Sequence, residues 1–105
     1  MKKLVRDNIP QIMSDKGEKP DYYVADPAEY LQALYEKMNE EMKEFIEDPC
    51  IDEAADVLEV FLTLIDHYDM LPVDVFSAAN KKKMDRGGFK DRYILKLSNH
   101  IEKER

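Results

Sequence analysis

Apolar residues recur at helical spacing along most of this chain. Leu31, Leu34, Met38, Met42 and Phe45 share one side of a helix. Asp26-Pro27-Ala28-Glu29 supplies the start, with aspartate as N-cap, proline at the first helical position and glutamate at N3. No breaker follows until Asp48-Pro49, so the pattern predicts a helix from 27 to about 47. Asp48 is then expected to cap a second helix over about 49–69, with Pro49 in its first position. Val57, Leu58, Phe61, Leu62, Leu64 and Ile65 spread over more than half of that helix, leaving a polar stripe of Asp52, Asp56, Glu59, Thr63 and Asp66. A helix this apolar is normally surrounded, so it is expected at the centre and against a second subunit. So short a link makes the two helices antiparallel neighbours.

The flanks are less regular. Leu4, Val5 and Ile9 alternate with Lys2, Lys3 and Arg6. Asp7 or Asn8 then caps a short helix through Gln11, Ile12 and Met13, which Gly17 ends. Residues 20–25 are rich in strand formers and are expected to be extended, pairing with 92–97. Asp69-Met-Leu-Pro72 turns the chain into a third helix, with Val75, Phe76, Ala79 and Met84 inward and Gly87 as its cap. The expected fold is all-α: a helical hairpin plus a third helix, the bundle completed by oligomerisation, with extended terminal segments. Residues 1–97 form one domain and 98–105 a frayed tail.

Composition narrows the function classes. A chain of 105 residues buries a modest core, and wide apolar faces on so small a domain favour a homodimer or homotetramer. A net charge of −7 argues against general nucleic-acid binding, which needs a basic surface. No apolar run approaches the ~20 residues of a membrane span. The single Cys50 excludes an internal disulfide and, with no signal-peptide pattern, leads us to expect a cytoplasmic protein.

The acids between 40 and 56 alter the picture most. Counting outward from Asp48 at ~1.5 Å per residue puts Glu44 level with Glu53, and Glu41 level with Asp56 about one turn further. Each pair on a helix is spaced i, i+3 and shares a face. Glu41 falls between Tyr30 and Leu34 at the edge of the apolar stripe, and Glu53 projects in the column of Val60 and Leu64. Glu44 and Asp56 lie further round, where an ordinary solvated face also explains them. Carboxylates beside a core are costly, and close like charges raise each other's pKa. A hard divalent cation such as Mg²⁺ removes the conflict and keeps waters free for a phosphate ligand.

Glu40-Glu41-x-x-Glu44 followed by Glu53-x-x-Asp56 resembles the EExxE…ExxD signature of the all-α nucleoside triphosphate pyrophosphatases, the MazG-type and phosphoribosyl-ATP pyrophosphohydrolase-like enzymes. Only eight residues separate Glu44 from Glu53, where many members have a longer stretch. The opening Lys3-Leu-Val-Arg-Asp7 with Ile9-Pro10 is similar to the phosphoribosyl-ATP pyrophosphohydrolase-like subgroup. The resemblance implies that Glu41, Glu44, Glu53 and Asp56 hold Mg²⁺, and that Glu40 or another unligated carboxylate orients or deprotonates the attacking water. Asn80-Lys-Lys-Lys-Met-Asp-Arg86 looks like the Asn-x-Lys…Arg phosphate element, which selects Asn80, Lys82 and Arg86, with Lys83 in close competition. Those cations equally suit a helix C-terminus. Lys3 and Arg6 either reach a phosphate or are surface cations beside an apolar anchor. His67 lacks the Glu-x-x-His spacing of a di-iron bundle and is read as a surface histidine.

The implied activity is hydrolysis of a nucleoside triphosphate to monophosphate and pyrophosphate, as house-cleaning of non-standard nucleotides. The alternatives are the same chemistry on phosphoribosyl-ATP in histidine biosynthesis, and a non-enzymatic acidic module that binds a partner helix.

Overall fold

A computed structural model describes residues 1–96. Among them the chain is helical and forms no strand: α1 (Ile9–Asp15), α2 (Pro27–Glu47), α3 (Ile51–His67) and α4 (Pro72–Arg86). Leu97 and the expected tail at 98–105 lie outside the described residues. The chain divides into two compact units, Met1–Leu71 and Pro72–Arg105.

In the first unit α2 and α3 form the expected hairpin. α2 starts where the sequence places it: Asp26 accepts the N–H of Glu29 at 2.9 Å, and proline follows the cap. The link to α3 differs from expectation. The Asp48 N–H still bonds to the Glu44 carbonyl at 3.0 Å, so Asp48 closes α2, and the N-cap of α3 falls two residues later. Pro49 lies outside both helices. Cys50, extended at φ −154° and ψ 169°, becomes the N-cap, and its carbonyl receives the Ala54 N–H at 3.0 Å. No side chain caps this end; Asp52 and Glu53 in the first turn complement the helix dipole instead.

The core of the hairpin is small. Leu34, 1% exposed, meets Val60 and Leu64, with Leu4, Tyr30, Leu31 and Met38 around them. Leu4 thereby fastens the irregular N-terminal stretch onto the hairpin. Within the single chain α3 buries Val60, Leu64 and Ile65, while Leu58 and Phe61 stay exposed. It ends two residues earlier than the pattern predicts. Asp69 takes φ 59°, and the Met70 N–H reaches back to the Ile65 carbonyl at 2.9 Å, a Schellman-type closure.

α1 closes similarly through Gly17 at φ +84°, with the Glu18 N–H on the Met13 carbonyl at 3.0 Å. Its N-terminal neighbour Asn8 makes no side-chain cap.

In the second unit α4 ends as predicted, with Gly87 at φ +84° and its N–H on the Lys83 carbonyl at 2.8 Å. The expected inward face is not realised: Val75 is half-buried, and Phe76, Ala79 and Met84 are exposed. Residues 20–25 and 92–96 carry no strand, so their expected pairing is corrected too. Segments this short gain too few ladder bonds to hold a sheet by themselves.

Candidate metal centre

Two apolar columns turn acidic as they approach the hairpin bend. On α2, Glu41 stands seven residues, about two turns, after Leu34, and so continues the buried column. On α3, Glu53 stands seven before Val60 and Asp56 four before it. The hairpin therefore brings them together: one oxygen from each of Glu41, Glu53 and Asp56 lies within 4.8 Å of the others. Glu41 is 6% exposed, and Glu53 and Asp56 are half-buried. Glu44 is not one of this trio, although its charge is close enough to act on Glu41.

Cations satisfy part of the cluster. Lys37 Nζ lies 3.3 Å from Glu41 Oε1 and 3.3 Å from Glu40 Oε2. Lys3 Nζ meets Glu40 Oε1 at 2.6 Å, and Arg6 Nη2 meets Asp56 Oδ1 at 2.8 Å. Both N-terminal cations expected near a phosphate are thus paired with acids. Yet Glu41 Oε2 and Glu53 Oε2 are buried and have no hydrogen-bond partner. Orphaned buried carboxylate oxygens are rare and costly.

The electrostatics separate these acids into two kinds. Burial pushes the Glu41 carboxyl above its usual range; Lys37 opposes this, and the charges of Glu44 and Asp56 reinforce it. Burial also raises Glu53, helped by Asp56 and Glu41. Glu40 goes the other way, held low by its hydrogen bond from Lys3 and by Lys37. A carboxylate held by two lysines is a weak base. Three oxygen donors with two unmet lone-pair sets fit a hard divalent cation, which prefers such ligands and would relieve the mutual repulsion.

Beside the acids lies a cavity of about 570 Å³. Arg6, Lys37, Glu41 and Asp56 contribute to its wall, together with apolar Leu4 and Tyr30. Lys37 is the site residue that the motif reading passes over. Its signal was its spacing, three residues before Glu40 and four before Glu41, the distances at which helical side chains meet.

Asn80, Lys82, Lys83 and Arg86 belong to the second unit, where all are exposed toward the C-terminal end of α4. Asn80 Nδ2 lies 4.0 Å from Met84 Sδ. His67 is exposed, its ring edge-on to Tyr30 and Tyr68 at centroid distances of 6.1 and 5.2 Å. No helix among the described residues is long and apolar enough to cross a membrane.

No protein-family model, curated protein or solved structure matches this chain.

Proposed function

We propose that the chain is a Mg²⁺-dependent nucleotide pyrophosphohydrolase that converts nucleoside triphosphates to monophosphates and pyrophosphate, removing non-standard nucleotides in the cytoplasm. One observation carries the reading: Glu41, inside the core and with Oε2 unpartnered, converges with Glu53 and Asp56 from the facing helix. A solvated acidic face would leave such oxygens in water. The motif resemblance then supplies the reaction class.

Glu41, Glu53 and Asp56 are the proposed ligands, with Glu44 completing the set. The ion, when bound, neutralises phosphate charge and lowers the pKa of a coordinated water. Glu40, already ionised, accepts a hydrogen bond from the attacking water and orients it. Lys3 is a further phosphate contact; the phosphate role that the resemblance implies for Asn80, Lys82, Lys83 and Arg86 falls on the second unit. The exposed apolar residues of the hairpin are assigned to a homodimer or homotetramer contact.

The decisive experiment measures pyrophosphate release from a panel of nucleotides with and without Mg²⁺. Turnover of modified or surplus triphosphates is expected only with the ion. Preference for phosphoribosyl-ATP would move the protein to the histidine-biosynthetic reaction. Millimolar Mg²⁺ should also raise the melting temperature by mass action. No turnover and an unchanged melting curve would eliminate the proposal. They would leave the non-enzymatic reading, a helical module binding a partner helix, which the exposed Leu58 and Phe61 of α3 favour.

A further inference from the structure

The two cations lining the cavity stand in an unusual relation to the acids. Lys37 and Arg6 each hold one member of the trio, Glu41 at 3.3 Å and Asp56 at 2.8 Å, and both also form cavity wall. The Lys37 ammonium is shared between two carboxylates, at distances longer than the ~2.7–2.9 Å of a strong charged hydrogen bond. Its side chain is only 21% exposed, so it has little water to fall back on when its partners are taken. Arg6 stands two residues after Leu4, whose packing against the hairpin core fastens the stretch near the acids, and its side chain is 57% exposed.

Resting on the metal-binding reading above, we propose that Lys37 and Arg6 are exchangeable countercharges. In the metal-free protein they offset Glu41 and Asp56; with a divalent cation among the acids they turn into the cavity and hold the substrate's phosphate groups. The physical reason is charge balance. A lysine or arginine that compensates a carboxylate becomes a like-charged neighbour once a divalent ion compensates it instead. The adjoining phosphates are then the nearest anions, and arginine in particular matches them with two parallel N–H donors. Metal and phosphate binding are therefore positively coupled through these two side chains, and by linkage each strengthens the other. Lys37 acquires a ligand-binding role that the motif does not give it.

The test is calorimetric and needs no turnover. Mg²⁺ is titrated into the wild-type protein, Lys37→Gln and Lys37→Arg; the phosphate analogue imidodiphosphate is then titrated with and without saturating Mg²⁺. Wild type should bind Mg²⁺, and should bind imidodiphosphate far more tightly when Mg²⁺ is present. Lys37→Gln should bind Mg²⁺ alone at least as tightly as wild type, because a competing cation is gone. It should bind imidodiphosphate, at saturating Mg²⁺, roughly tenfold or more weakly. Lys37→Arg keeps the charge and should retain most of the coupling, while circular dichroism verifies that each variant is folded. Weaker Mg²⁺ binding by Lys37→Gln with unchanged imidodiphosphate affinity would overturn the exchange and leave the metal site standing. No Mg²⁺ binding by the wild type would overturn both.

Discussion

Glu41 concentrates the conflict that makes this hairpin more than a scaffold. It occupies a position where the helical repeat calls for an apolar side chain, and its fold raises its pKa chiefly through burial. The native chain therefore binds more protons than the unfolded one just above the ordinary carboxylate pKa. This contribution to stability is fully present in acid and is lost as pH rises through the raised native value. Glu41→Gln removes the cost of holding that charge in the core at neutral pH. In metal-free buffer the variant should melt a few degrees higher than wild type at neutral pH. The gap should close on acidification below the normal carboxylate pKa, and a pH series of thermal melts reads it directly. Under turnover conditions the same substitution should cost more than about a hundredfold in Mg²⁺-dependent rate. A variant with near-normal turnover would remove Glu41 from the centre.

At the scale of elements, helix ends decide how the acids are presented. Because Asp48 completes α2, α3 begins at Ile51, and Glu53 sits within its first turn. The other end of α3 stores a correctable cost. Asp69 adopts φ 59°, a left-handed conformation that glycine takes freely, and its charge faces the negative end of the helix dipole. Asp69→Gly should raise the melting temperature by a few degrees, corresponding to roughly 0.5–1 kcal/mol. Asp69→Val should lower it, since a β-branched side chain is poorly tolerated there. Neither substitution should change Mg²⁺ affinity, which separates stability from site chemistry in one pair of variants.

For the whole molecule, the balance of buried and exposed apolar surface is the dominant fact. Leu34, Val60 and Leu64 make a slight core for a chain of this length, while Leu58, Phe61 and Ile46 remain exposed on the hairpin helices. The proposed homo-oligomer contact would cover these residues. Sedimentation of the wild type is expected to give a dimer or tetramer, and Phe61→Lys a shift toward monomer. A monomeric wild type at high concentration would instead assign the surface to a different partner.

The sequence alone determined the all-α class, the start of α2, the glycine ends of α1 and α4, and the gathering of acids near one bend. Those features depend on local chemistry: caps, left-handed glycine and a repeat of about 3.6 residues that fixes which positions share a face. It did not determine that Cys50 rather than Asp48 would cap α3, because Asp48 suits either helix end and the path of the turn decides which it serves. Nor did it reveal that Glu41, Glu53 and Asp56 would converge without Glu44, or that Arg6 would reach Asp56. Those outcomes depend on how α2 rotates against α3 and on Leu4 bringing the N-terminal stretch across to them. Such contacts join residues up to 50 positions apart, and no periodicity along the chain encodes them.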